Sequence, residues 1–192
     1  MPRLLVIRHG AIATSGVEFP ARDGLEPLSP LGVVEVEALA SMLAGEPITA
    51  IHSSPAVRAR QTAEAIARRH RLEPQVDAAL AEVDMGEWSG QALVWAKQQP
   101  DWRTFQTRPG EFTFPGGESF VSLVERTGPC LERIGDSATG TVVVTAHLGN
   151  VMAFLALAGV LEGHVDIPTA SVTDFDLGGP KIRVGEIGRR PD

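Results

Sequence analysis

Arg3-Leu4-Leu5-Val6-Ile7-Arg8-His9-Gly10, at the start of a 192-residue chain, sets a four-residue apolar run against a polar, glycine-containing stretch that continues to Gly16. A run this short and wholly apolar predicts a strand over residues 3–7 buried on both faces, with chemistry free to sit where it ends. Ser29-Pro30 then predicts a helix start, serine as cap and proline in the first turn. Val33, Val36, Leu39, Ala40 and Leu43 recur behind it at helical spacing until Gly45-Glu46-Pro47. Ile48 to His52 reads as a second strand, and Ser54-Pro55 as the opening of a second helix that runs to about His70. Beyond the middle of the chain, residues 119–135 are helical in pattern, Thr141 to Thr145 is a β-branched buried strand and 149–160 is an apolar helix. Residues 171–177 and 181–187 form a closing pair of strands around Gly178-Gly179-Pro180. Strands alternating with helices predict an α/β sandwich with a largely parallel sheet.

The length fits one ordinary domain, residues 1–192, able to bury a full core without disulfides or metal staples. The hydrophobic content of 43% is spread along the chain, as a globular protein requires. Residues 1–9 hold too few apolar residues for a signal-peptide core, and no later run approaches the roughly 20 residues of a membrane helix, so a cytoplasmic protein is expected. Cys130 is the only cysteine, which rules out an intrachain disulfide and predicts a small buried apolar residue. The net charge of −7 works against broad contact with nucleic acid or an anionic membrane. A few converging arginines on such a chain still suffice for a small phosphorylated ligand. Residues 86–118 differ from the rest: Trp88, Trp95, Trp102, Phe105, Phe112 and Phe114 are interrupted by Pro100, Pro109 and Pro115, which predicts a helical insertion with loops.

Arg8-His9, Ser53-Ser54 and His147 all fall where predicted strands end, the edge at which open α/β sheets bind ligands. A neutral imidazole at His9 is a competent phosphorus nucleophile once its other ring nitrogen is fixed by a hydrogen bond, and Gly10 permits the close backbone approach. Arg8 offers a fork of donors to phosphate oxygens. Arg58 lies in the first turn of its helix and reaches back to the same edge, whereas Arg60, Arg68, Arg69 and Arg71 read as solvated surface arginines. A phosphate ester's alkoxide leaves poorly without a proton donor, and Glu82, Asp84 and Glu87 compete for that role on spacing alone. His147, at the mouth of an apolar helix, suits a donor to a phosphoryl oxygen. His52, His70 and His164 have no such company and read as structural or exposed.

These blocks resemble the histidine phosphatase superfamily, the phosphoglycerate-mutase-like group. The matching segments are Arg8-His9-Gly10, Ser53-Ser54 with Arg58-Ala59 and Thr62-Ala63, and Leu80-x-Glu82 with Gly86-Glu87-Trp88-Ser89-Gly90. The apolar strand ending in His147 follows, with Pro27-Leu28-Ser29 and Pro115-Gly116-Gly117-Glu118-Ser119 as lesser matches. The resemblance implies a phosphohistidine at His9, a phosphate pocket of Arg8, Arg58 and His147, and Glu82 rather than Asp84 or Glu87 as proton donor. It also implies a three-layer fold whose six-stranded mixed sheet is mostly parallel, with helices on both faces and the 86–118 insertion as a small lid. No cofactor and no metal are expected, and a homodimer is left open. Ala11, Ile12 and Ser15 stand where the family usually has Glu or Gln, Thr and a phosphate-contacting Asn, and Leu148 where it usually has Gly. Ser15 and Leu148 therefore join Arg8, Arg58 and His147 as expected substrate contacts, on an unusual rim.

The expected activity is hydrolysis of a small phosphorylated metabolite. The alternatives are a phosphomutase, whose family members look longer and differ after the catalytic Glu, and a non-catalytic phosphate-binding protein that kept the pocket. The five histidines show no metal-ligand spacing, and neither a Gly-x-Gly-x-x-Gly turn nor a P-loop is present.

Overall fold

The computed structural model describes residues 3–21, 23–179 and 181–191. Its strands are β1 (Arg3–Arg8), β2 (Ile48–Ser53), β3 (Gln75–Val76), β4 (Thr141–Ala146), β5 (Ser171–Asp176) and β6 (Arg183–Val184), arranged β3-β2-β4-β1-β5-β6. The first four strands of that order are parallel, β5 runs antiparallel to them, and β6, antiparallel to β5, returns to their direction. The helices are α1 (Pro30–Met42), α2 (Val57–His70), α3 (Leu93–Ala96), α4 (Trp102–Thr107), α5 (Phe120–Ser137) and α6 (Leu148–Leu157). The mixed, mostly parallel sheet expected from the resemblance is therefore present, with helices on both faces.

The apolar run of β1 is explained by its central place. Leu4, Leu5, Val6 and Ile7 are all fully buried because successive side chains alternate between two covered faces. Leu5 and Ile7 join Ile51, Val143 and Val172 beneath Val36, Leu39, Ala63 and Ile66 of α1 and α2. Leu4 and Val6 join Val142, Val144 and Phe175 beneath Leu131, Ile134, Val151 and Phe154 of α5 and α6. Each such side chain contributes about 1.5–3 kcal/mol relative to exposure, so the central strands anchor both layers. Cys130 is buried in the second layer as expected, its thiol donating to Asp77 Oδ2 at 3.4 Å. Burial, then the nearby Asp77 carboxylate, pushes that thiol up to about 12.

Ser29 caps α1 as its sequence predicts, its hydroxyl accepting from Gly32 N at 3.1 Å with Pro30 in the first turn. Ser54-Pro55 does not open α2: the helix begins at Val57 with Ala56 as cap, while the Ser54 hydroxyl accepts from Ala56 N at 3.3 Å and reaches His147 Nε2 at 2.7 Å. β3 has two residues and was not foreseen, and β6 is shorter than expected, with Pro180 of the intervening turn outside the described residues. Helix α5 continues through Gly128-Pro129, and α6 stops at Leu157, short of residue 160. No helix among the described residues is long and apolar enough to cross a membrane.

Residues 86–118 carry α3, α4 and two short 3₁₀ turns around an aromatic cluster of their own. Trp88, only 2% exposed, sits at its centre against Phe19, Trp95, Trp102, Phe105, Phe112 and Phe114. On the opposite side of the site, α1 presses onto the loop that leaves β1. A Cβ on Gly32 would lie 1.9 Å from Ala11 O, and one on Gly10 2.5 Å from Val36 Cγ2. Gly32→Ala must therefore push α1 away from the strand exit, at a cost of about 1–3 kcal/mol. A chain of this size loses roughly 2–4 °C of melting temperature per kcal/mol. Thermal unfolding should show that fall, whereas Gly45→Ala, whose Cβ would meet nothing within 4 Å, should melt with the wild type.

Candidate active site

Strand register assembles the site. Ser53 pairs with Thr145 and Arg8 with Ala146, so Ser54, His147 and His9 leave three adjacent strands at one edge with His147 in the middle. The His9 ring donates from Nδ1 to its neighbour's carbonyl, Gly10 O, at 2.8 Å; a carbonyl only accepts, so the proton is on Nδ1 and the lone pair on Nε2. That lone pair accepts from Arg58 Nε at 3.1 Å. Arg58, 2% exposed, also donates from Nη2 to His147 Nδ1 at 3.3 Å, and its buried Nη1 has no protein partner. One guanidinium thus bridges two imidazoles whose ring centres are 5.2 Å apart.

His147 is wholly buried, and its Nε2 lies 2.7 Å from the Ser54 hydroxyl. A hydroxyl can accept or donate, so Ser54 serves either tautomer of His147. The ring is thereby free to turn from acceptor of an Arg58 N–H to donor toward a phosphoryl oxygen. Arg8 donates from Nη1 to Ile167 O, while its buried Nε has no protein partner. Glu82 closes the ring of groups: Oε2 is 3.8 Å from His147 Nδ1 and Oε1 accepts from Val83 N at 2.9 Å. Gly149, in the first turn of α6, makes room for it, since a Cβ there would lie 2.5 Å from Glu82 Oε1. Burial raises the Glu82 carboxyl above its ordinary range. Burial and then the Arg58 charge hold both His9 and His147 well below the usual imidazole range, so both are neutral.

Two cavities meet at Glu82. A cleft of about 590 Å³ reaches Arg8, His9 and Glu82 at its floor, with Trp102, Phe105, Phe112, Phe114 and Met152 on its walls. A smaller cavity of about 270 Å³ is lined by Ser54, Arg58, Asp84 and Glu82. Ser15 and Leu148, flagged from the sequence, both border the larger cleft. The Ser15 hydroxyl accepts from Ile12 N at 2.9 Å, and Ala11 N donates to Glu35 Oε2 at 2.9 Å. The unusual residues after Gly10 thus have an ordered set of partners. Glu87 is exposed, and Asp84 Oδ1 accepts from Gly86 N at 3.0 Å, whereas Glu82 faces the histidines. The aromatic insertion does two things at once, packing its own core and walling the cleft.

Some partners were not singled out. His164, set aside in the sequence, lines the cleft with its ring centre 5.1 Å from that of Phe105. Thr62 accepts from Gly10 N at 3.2 Å, and Glu35 also accepts from Thr169 Oγ1 at 3.0 Å. Local sequence could not separate Glu35 from Glu37 on the same helix, since both flank Val36. Among the described residues no three His, Cys, Asp or Glu side chains converge as a metal site.

The family model described as histidine phosphatase superfamily (branch 1) matches residues 4–188. A bifunctional protein of Mycobacterium tuberculosis is 34% identical over 182 residues, covering 90% of this chain and 50% of that protein. The chain therefore spans half the length of that relative. Phosphoserine phosphatase 1 of Hydrogenobacter thermophilus is 33% identical over 165 residues, covering 83% of this chain and 78% of its own. Among solved structures, a mycobacterial glucosyl-3-phosphoglycerate phosphatase in complex with VO3 superposes with a TM-score of 0.86 at 26% identity. That match covers 95% of this chain and 96% of the other.

The neutral histidines make stability depend on pH. The unfolded chain protonates them near the ordinary value of about 6.5, whereas the folded chain keeps them neutral well below it. Stability that is full above about 6.5 is therefore lost as pH falls toward the depressed folded values, by at most about 1.4 kcal/mol per unit for each ring. Glu82 acts in the opposite sense, because its raised carboxyl takes up a proton in the folded state first. With two rings against one carboxyl, the melting temperature should drop between about pH 6.5 and pH 5.5. Replacing His9 and His147 with Gln should flatten that slope in a thermal-shift series.

Proposed function

We propose that the chain, which belongs to the histidine phosphatase superfamily, is a phosphomonoesterase that passes the phosphoryl group of a small phosphorylated metabolite through His9 without a metal ion. The observation that carries this reading is the His9 ring itself. Its proton is fixed on Nδ1 by Gly10 O at 2.8 Å, and its Nε2 lone pair is held at 3.1 Å from a buried arginine at the floor of a cleft. Arg58, Arg8 and His147 supply the charge and the donors for three phosphoryl oxygens, and the two orphaned guanidinium nitrogens, Arg58 Nη1 and Arg8 Nε, suit an anion that no protein group replaces.

In the first step Nε2 attacks phosphorus, the Arg58 N–H moves from His9 to a phosphoryl oxygen, and the P–O bond to the leaving group breaks as that oxygen takes the Glu82 proton. In the second, Glu82 takes a proton from water, the water oxygen attacks phosphorus, and the P–N bond breaks to return neutral His9 and free phosphate. Burial keeps the Glu82 carboxyl protonated at higher pH than an exposed one, which suits the first step. The 192 residues act as one unit, with the 86–118 segment as lid and Ser15 and Leu148 as rim contacts to the substrate.

The lid's aromatic wall favours a phosphate ester with an apolar or aromatic body. Beyond Arg8 the cleft's charged lining sets one cation, Lys97, against Glu18 and Asp166, leaving no excess of cations to hold a second phosphate, which disfavours the mutase reading. Naphthyl phosphate should accordingly show a higher kcat/KM than a bisphosphoglycerate; equal or better turnover of the polyanion would revive the mutase. The proton donor is tested by leaving group. Glu82→Gln should slow alkyl phosphates by roughly 10²- to 10⁴-fold and nitrophenyl phosphate far less, with a burst of nitrophenol as the phosphoenzyme accumulates. His9→Ala should abolish both, and excess EDTA neither. If Asp84→Asn shows the leaving-group dependence and Glu82→Gln does not, the donor is Asp84.

A further inference from the structure

Glu82 lies between two 3₁₀ turns, Ala78–Leu80 and Gly86–Trp88, so no regular element fixes where its side chain points. Its main chain is held from outside. Arg126, in α5, donates from Nη1 to Ala79 O at 2.7 Å and from Nη2 to Glu82 O at 3.1 Å. The same guanidinium grips Glu118 in a fork, Nε to Oε1 at 2.8 Å and Nη2 to Oε2 at 3.0 Å. Glu118 in turn accepts from Asp84 N at 3.2 Å through Oε2 and donates its own N–H to Asp84 O at 2.7 Å. One largely buried ion pair therefore ties down the chain on both sides of Glu82, with side chains 28% and 16% exposed. Asn150 adds a contact from α6, Nδ2 to Ala81 O at 3.3 Å.

We infer that Glu118 and Arg126 are positioning residues for the proton donor, holding the Glu82 carboxyl at the histidines. The inference rests on Glu82 being that donor. A flexible stretch would let the carboxyl swing into either cavity beside it, and a misplacement of about 1 Å is enough to cost most of the benefit of an oriented acid. The pair also acts through its charges. Arg58 from α2, Arg8 from the end of β1, Arg126 from α5 and His147 from the end of β4 all face Glu82. Burial pushes its carboxyl up, and the Val83 N–H, Arg58, Arg8 and Arg126 pull it back. The protonated donor in the free enzyme sets the alkaline limb of kcat/KM for an alkyl phosphate, so that limb reports the local charge.

The test compares kcat/KM against pH for an alkyl and a nitrophenyl phosphate in Arg126→Lys, Arg126→Met and Glu118→Gln, with Glu82→Gln as reference. Arg126→Lys keeps the charge but cannot reach the carboxylate and two carbonyls together. It should lose roughly tenfold or more on the alkyl ester, within the 10²- to 10⁴-fold range of proton donation, with little loss on the aryl ester and its alkaline limb in place. Arg126→Met should add an upward move of the limb. Glu118→Gln, isosteric and one negative charge lighter, should move it down. A brace with no bearing on the donor would instead slow both esters alike and leave the limbs uncorrelated with charge, which overturns the inference. Should Arg126→Met fail to fold by circular dichroism, the Lys and Gln variants still decide between the two outcomes. Leaving-group dependence in Glu82→Gln but not in Arg126→Lys overturns the pair's role alone; its absence in Glu82→Gln overturns the donor assignment and this inference with it.

Discussion

The contact on which the site depends is the buried Arg58 guanidinium shared between His9 Nε2 and His147 Nδ1. A cation taken out of water needs acceptors, and here the acceptors are two imidazole lone pairs rather than a carboxylate. That choice reinforces the neutrality that burial already favours in both rings, because a proton on either would put a second positive charge against the first. It also leaves the cation underpaired, with one terminal nitrogen lacking any protein partner. On the proposed function, a phosphoryl oxygen is the acceptor for that nitrogen. The placement needs three adjacent parallel strands in fixed register, and the helices packed on both faces of the central sheet, which require it to be apolar on each, hold that register.

The groups around that contact divide between two supports of different kinds. His9, His147 and Ser54 are attached to strand ends whose neighbours are fully buried, and Arg58 to the first turn of the helix packed on them. Glu82 belongs to irregular chain tied by side-chain contacts to α5 and α6. On the proposed function, phosphate recognition is built into the sheet, while proton transfer is attached to it by an ion pair. The aromatic insertion begins and ends at the same knot, since Asp84 and Glu118 bracket it. Its cluster around Trp88 is separate from the two cores that flank the sheet.

What the sequence made legible was what depends on near neighbours. The apolar run of β1, the Ser29-Pro30 cap and the β-branched β4 each carry a local signal that packing reinforced. Ser54-Pro55 carries the same local signal as Ser29-Pro30, yet its hydroxyl went to His147, 93 residues away, and the helix started later. β3 is two residues long and exists by pairing with β2, so it left no pattern to read. Spacing could not separate Glu82 from Asp84, since both lie in one extended stretch; the resemblance chose Glu82, and that side chain is the one facing His147. Arg126 escaped notice because two of its partners are backbone carbonyls, which have no identity in a sequence. His164, read as structural or exposed, packs on Phe105 at the cleft wall, a position the sequence did not signal because Phe105 arrives with the insertion.

The single thiol, finally, bears on redox chemistry. Cys130, on α5, points into the second core, where burial pushes its thiol up to about 12 and so keeps it protonated at neutral pH. The reacting atom proposed for catalysis is a ring nitrogen, which has no sulfenic or disulfide state to fall into. The groups placed around the site are nitrogen and oxygen groups rather than thiolates, and the one thiol of the chain is buried away from solvent, out of reach of a mixed disulfide in the folded state. On the proposed function, insensitivity of the chemistry to thiol oxidants would follow from a nitrogen nucleophile and a cysteine kept in the core.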